Sequence, residues 1–206
     1  MCGRYLYSLD NQELREIAEE AQRNLYGEYK TGEIYPTNVA PIIISSGNVI
    51  RPVLAKWGLK KWDNKGNIIN ARSEGIRQKP MFKKLVESKR CIVPASAFFE
   101  WKEISDKEKE KYIFYNNDGV LYMAGLYEVY ESVPNEQLSL FDSNDKVDNL
   151  RYTIITKAAS GSMVGIHQRM PVIFNKEEME NWLLGDSKVD ELLANNDVDL
   201  NKDKNC

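Results

Sequence analysis

The apolar positions change period along the chain, and the change predicts the elements. After Asp10, the residues Leu14, Ile17, Ala18, Ala21 and Leu25 recur at helical spacing. Glu13 stands three residues past Asp10, as in a capping box, so 11–25 is predicted to be an amphipathic helix. Residues 26–41, YGEYKTGEIYPTNVAP, interrupt the pattern with Gly and two Pro and read as an irregular loop. Next, PIIIS and VIRPVLAKW flank SSGN as a hairpin, and PMFKKLVESK opens a second helix with Pro80 in its first turn. RCIVPASAFFEWKEI, KYIFY and VLYMAGLYEVY are rich in β-branched and aromatic residues and are predicted strands, with a turn at Asp118-Gly119. The polar stretch 131–149 reads as a surface excursion, and RYTIITKAA returns to the sheet. Two short helices follow, with Asn175 and Ser187 as N-caps and Glu178 and Asp190 three residues on.

Strands outnumber helices, and neither a βαβ alternation nor a GxGxxG or Walker sequence occurs, which disfavours a nucleotide-binding Rossmann or P-loop fold. The expectation is one α+β domain over 1–206, built on a mixed, largely antiparallel, barrel-like sheet with peripheral helices. Composition agrees: 206 residues with 42% hydrophobic content can bury roughly 70% of the unfolded surface without a staple. No apolar run reaches the roughly 18 residues of a membrane span, and MCGRYLYSLD lacks the apolar core of a signal peptide, so a cytoplasmic protein is expected. Cysteines at 2, 91 and 206, with no CxxC, and a single His argue against a disulfide framework, a zinc knuckle or a His-based metal cage. No metal and no cofactor are expected, and the protein is expected to be a monomer.

The net charge of −3 hides an asymmetry that changes the picture. Residues 51–102 carry 13 Lys or Arg against 4 Asp or Glu, whereas 103–206 carry 11 against 20. One section can thus face phosphates while the remainder stays acidic. Trp57, Trp62 and Phe82 are interleaved with the basic residues of that section, the combination that single-stranded nucleic acid binding asks for, although aromatics at such spacings also build cores.

Four further features suggest chemistry. If Met1 is removed, Cys2 carries an α-amine and a thiol on one skeleton; such a 1,2-aminothiol condenses with an aldehyde to an imine and closes to a thiazolidine. An ordinary cysteine after the initiator is the plain alternative. Glu100 lies in AFFEWK, where burial would raise its pKa and suit it to passing protons; a wet strand face would leave it an ordinary carboxylate. His167, in GIHQRMP, is the only imidazole and stands two residues before Arg169, which would suit an anionic substrate, unless it is a satisfied structural residue. In NARSEG, Asn70, Arg72 and Glu74 alternate as on one strand face, or as parts of a hydrogen-bonded loop.

Taken together, MCGRY, PTNVAP, WGL followed by Trp62, NARSE, MF, RCIVPASAFFEWK, MAGLYE, ITKAA and IHQRMPVI resemble, in order and spacing, the SOS response-associated peptidase (SRAP) family of abasic-site processing proteins, from residue 1 to about 184. The resemblance implies that Met1 is removed autoproteolytically and that Cys2 forms a thiazolidine DNA–protein crosslink with abasic sites in single-stranded DNA, protecting the lesion. It implies proton shuttling for Glu100, opening or closing of the deoxyribose ring for His167 and orientation of the N-terminal residue for Asn70. It further implies phosphate contacts for Arg4, Arg72 and Arg169, a groove-lining loop holding Asn38 and Pro41, and weak β-elimination and crosslink reversal through Glu100. The chain departs from the family pattern at Lys60-Lys61, where Ile-Pro is common, at FFEW in place of FYEW, and in its tail after about 195. The rival readings are an N-terminal-nucleophile cysteine amidohydrolase and a non-catalytic reader of single-stranded or modified DNA.

Overall fold

The computed structural model describes residues 2–24, 27–63, 65–117, 119–130, 149–185, 189–194 and 198–204. In chain order its strands are β1 (Tyr5–Tyr7), β2 (Gly32–Ile34), β3 (Val39–Ser46), β4 (Val49–Trp57), β5 (Leu59–Lys60), β6 (Asn67–Ile68), β7 (Asn70–Arg72), β8 (Arg90–Ala95), β9 (Ala97–Ser105), β10 (Glu108–Tyr115), β11 (Leu121–Val129), β12 (Leu150–Ala158), β13 (Arg169–Pro171), β14 (Ile173–Phe174) and β15 (Asn201–Lys204). The helices are α1 (Gln12–Asn24), α2 (Pro80–Ser88), α3 (Lys176–Leu184) and α4 (Val189–Ala194).

The pairings β12–β4, β4–β3, β3–β8, β8–β11 and β11–β12 close on themselves, so five strands form a ring. All are antiparallel except β12–β4, which places Arg151 opposite Lys56 and Tyr152 opposite Trp57. The expected mixed, mainly antiparallel, barrel-like α+β architecture is therefore present. A second sheet, in the order β15-β10-β9-β1-β2, packs beside the ring. Tyr5 of β1 links the two: its hydroxyl lies 2.7 Å from that of Tyr152, and its ring lies 5.3 Å from Trp57.

The chain changes sheet at two places. RCIVPASAFFEWKEI is two strands, β8 in the ring and β9 in the second sheet, and the switch at Ser96 is secured by its N–H donating to Leu6 O and its Oγ accepting from Ser8 N–H. The expected turn is seen at Gly119, φ +81°, whose N–H donates to Asn116 O, and it carries the chain from β10 in the second sheet to β11 in the ring. Asp118, residues 131–148 of the expected 131–149 excursion and the Ser187 cap lie outside the described residues.

Local corrections follow from hydrogen bonds. The N-cap of α1 is Asn11, whose Oδ1 accepts from Leu14 N–H; Asp10 instead bonds Ser8. The Asn175–Glu178 capping box of α3 forms as expected. Residues 26–41 hold β2 and the start of β3 instead of forming one loop, and Pro41 is buried on β3 opposite Leu54. The tail contributes β15, an edge strand that pairs Lys204 with Tyr112.

Trp57 is fully buried, stacked on Tyr152 at 6.3 Å, with its indole N–H donating to Ile69 O. Trp57→Ala should therefore lower stability by about 3–5 kcal/mol, measured by denaturant unfolding. A loss below about 1 kcal/mol would show that this ring does not join the sheets.

Candidate active site

Cys2, Asn70, Glu100 and His167 come from two sheets and meet in one place. Extending the antiparallel register of Tyr5 opposite Phe98 brings the residues just before β1 alongside Glu100 on β9. Asn70 opens β7, which runs parallel to β12 with Asn70 opposite Ile154. Its Nδ2 crosses to the other sheet and donates to Cys2 O at 2.9 Å. His167 hangs between a short 3₁₀ turn, Gly161–Met163, and β13, which is itself held on β12 by Arg169 opposite Ala158. β12 thus positions two of the four residues although it supplies none.

Cys2 is fully buried, and its Sγ lies 3.8 Å from Arg4 O. Burial, reinforced by the nearby Glu100 carboxylate, holds the thiol far above its usual pKa, so it remains protonated. Glu100 is 3% exposed, and burial raises its pKa too, opposed by neighbouring positive charge that includes His167. Its Oε2 lies 3.9 Å from His167 Nε2. His167 Nδ1 lies 3.0 Å from the Arg169 backbone N–H and 3.1 Å from the Arg169 carbonyl oxygen, so the backbone of Arg169 can hold the ring with either nitrogen carrying the proton. The ring is partly exposed where the carboxylate is not, so it stands at the mouth and Glu100 at the floor.

The arginines sit around this centre. Arg4 Nη1 donates to Glu33 Oε2 at 3.0 Å while its guanidinium lies 4.5 Å from the Tyr35 ring and 4.8 Å from the Trp101 ring. Arg169 makes two bonds to Glu74, at 2.6 and 2.8 Å. Arg72 is exposed on β7. Asn38 Oδ1 accepts from Tyr35 N–H and so shapes the turn that carries Tyr35 over Arg4. Thr37 takes φ +76° in that turn, held by Thr37 N–H to Trp57 O and Trp57 N–H to Asn38 O.

Of the aromatics expected to meet DNA, Trp62 is 91% exposed, but Trp57 at 0% and Phe82 at 5% have no open ring face, because one joins the sheets and the other packs α2 into the core. Pro41, buried in β3, offers a groove no surface either. Glu33, Tyr35, Trp101 and Lys111 were not singled out from the sequence. Nothing local marks Glu33 among the acidic residues; it matters because β2 sets it opposite Leu6, and β10 brings Lys111 to within 2.8 Å of it.

Among the described residues there is no group of three or more His, Cys, Asp or Glu able to hold a metal, and no helix long and apolar enough to cross a membrane.

A buried cysteine, a raised carboxyl and an imidazole mouth, set in a ring of strands, define a site for nucleophilic and proton-transfer chemistry. Over residues 1–202 the chain matches the family model described as SOS response associated peptidase (SRAP). It is 37% identical over 198 residues to abasic site processing protein YobE of Bacillus subtilis, a match covering 89% of this chain and 82% of that protein. It is 32% identical over 193 residues to abasic site processing protein YedK of Escherichia coli, covering 89% and 79%. A crystal structure of a Bordetella bronchiseptica protein shares the fold, with a TM-score of 0.72 at 21% identity and full coverage of both chains. The chain belongs to the SOS response associated peptidase family.

Proposed function

We propose that this protein processes abasic sites in DNA, and that it does so by covalent capture through Cys2 once Met1 has been removed. The observation that carries the reading is the bond from Asn70 Nδ2 to Cys2 O at 2.9 Å, in a centre shared with Glu100 and His167. Holding that carbonyl fixes the orientation of the first residue, so the amine and the thiol of Cys2 face one reaction volume.

The chemistry proceeds in balanced steps. His167, at the mouth, transfers the protons that open the deoxyribose ring to its aldehyde. The free amine of Cys2 adds to the aldehyde carbon, and loss of water leaves an imine. The thiol sulfur then adds to the imine carbon, and its proton passes to the imine nitrogen, giving a thiazolidine. Glu100 carries these protons, and the rise that burial gives its pKa suits it to both taking and giving them. The same carboxyl serves removal of Met1, weak β-elimination from the imine and reversal of the crosslink. Single-stranded DNA is the partner this reading requires, and Arg4, Arg72, Arg169, Asn38 and Trp62 are its proposed contacts.

The rival N-terminal-nucleophile amidohydrolase, in which the Cys2 amine serves as base for its own thiol, predicts instead turnover of small amides and indifference to DNA.

The test mixes purified protein with an oligonucleotide bearing one abasic site. An adduct that survives denaturing electrophoresis is expected, from protein whose intact mass lacks Met1. Failure to form any adduct with protein confirmed to begin at Cys2 would remove the reading.

A further inference from the structure

The two arginines nearest the chemistry are each held by a carboxylate. Arg4 lies two residues from Cys2, and Arg169 lies two residues from His167, so both guanidiniums belong to the segments that carry the proposed chemistry. Glu33 accepts from Arg4 Nη1 at 3.0 Å, from Lys111 Nζ at 2.8 Å and from the Tyr35 hydroxyl at 2.8 Å. Glu74 takes both Nη atoms of Arg169 in the two-pronged geometry that a phosphate would adopt.

We propose that Glu33 and Glu74 are specificity-determining counter-ions, standing in for DNA phosphates on Arg4, Lys111 and Arg169 until a strand displaces them. This rests on the DNA reading above. Each phosphate contact at this centre then replaces an existing ion pair, so an intact strand gains little net affinity there. A strand whose lesion reaches Cys2 is retained by the covalent bond instead. The protein thereby scans undamaged DNA without being held by it.

Two observations separate this role from simple positioning. The guanidiniums are located by other groups: Arg4 lies against the Tyr35 and Trp101 rings, and Arg169 Nη2 also donates to Thr156 O. Removing either carboxylate charge therefore leaves the donors presented. Both acids also stay ionised throughout the range of a binding measurement. The hydrogen bond from Lys111 is the largest cause lowering the pKa of Glu33, and that from Arg169 brings Glu74 down to about 2.

The test measures binding of a labelled, undamaged single strand by fluorescence anisotropy across a salt series, using the full chain. Glu33→Gln and Glu74→Gln should each tighten binding about threefold, and the double variant about tenfold, the scale expected for partly exposed pairs. The salt dependence should steepen by about 0.7 in log–log slope for each phosphate newly neutralised. Adding Arg4→Gln to Glu33→Gln should cancel much of the gain. Thermal unfolding confirms that the variants are folded. Folded variants that bind no tighter, or more weakly, would overturn the proposal in favour of positioning. An equal gain from Glu19→Gln, an exposed residue of α1, would overturn it as a mere charge effect. The outcome is separable from the capture reading: adducts formed on abasic DNA with unaltered affinity in the variants sink this proposal alone. Tighter binding without any wild-type adduct sinks the capture reading alone.

Discussion

Cys2→Ala should abolish the denaturation-resistant adduct with abasic single-stranded DNA, while the variant is expected to stay folded and to bind the same oligonucleotide with the same salt dependence. The expected effect is complete because the proposed final bond is made by the Cys2 sulfur, and an alanine side chain carries no nucleophile that could close the ring on the imine. A transient imine remains available to the alanine variant, so borohydride reduction should trap what denaturing electrophoresis alone does not show. Loss of one buried sulfur costs about 1 kcal/mol of stability, too little to unfold a domain of this size. The same experiment separates the rival chemistries: a reader of modified DNA never becomes covalent in either form. If Cys2→Ala still gave a denaturation-resistant product without reduction, the thiazolidine would have to be abandoned.

Glu100→Gln should slow adduct formation by 10²–10⁴-fold, the usual contribution of a positioned proton carrier. It should at the same time make the protein more stable at neutral pH. Burial raises this carboxyl's pKa in the folded state above its unfolded value, so the folded chain binds a proton that the unfolded chain releases. The wild type is therefore penalised as pH rises from the unfolded pKa of about 4.3 towards the folded value, and the penalty is complete above it. Glutamine, which does not ionise, escapes that penalty, and the difference should vanish in acid. Thermal unfolding of both proteins near pH 4 and near pH 7.5 reads the sign. A glutamine variant that reacted at the wild-type rate would show that Glu100 is no proton carrier. One that melted lower at neutral pH would show that the carboxylate is a structural ion-pair partner.

The Glu33 and Glu74 pairs put the same site in a second light. On the capture reading, a centre that opens a sugar, holds an amine and passes protons needs buried polar groups, whereas on the counter-ion proposal release of undamaged DNA needs weak net contact with phosphate. The two proposals place these demands on different residues. Glu100, Asn70 and His167 face inward to Cys2, and Glu33 and Glu74 face the arginines at the rim.

Local patterns sufficed for much of the fold. The 3.6-residue period of α1, the capping box at Asn175 and the β3–β4 hairpin are short-range features, decided by residues within one or two turns of each other, and they formed where expected. The burial of Glu100 was open in the sequence, because AFFEWK fits a wet strand face as well as a buried one, and the packing of the second sheet decided it. Where local patterns failed, the cause was long-range. Nothing near Ser96 or Gly119 announces a change of sheet, since a strand's composition is the same on either side of such a switch. Trp57 and Phe82 look alike whether they stack on bases or fill a core; the choice fell to partners far away in sequence, Tyr5 and Tyr152 for one and the helix–sheet contact for the other.

The sequence by itself determined which chemistry the chain can carry: a cysteine at residue 2, one carboxylate among aromatics, one imidazole and a basic section. Only the tertiary structure decided that these converge, because Cys2 and Glu100 ride on one sheet while Asn70 and His167 depend on β12 of the ring. It also decided that the arginines at the rim are already occupied by Glu33 and Glu74. The reason is physical: residue type fixes what a group can do, but its pKa, its partner and its reach are set by neighbours that the chain brings together only on folding.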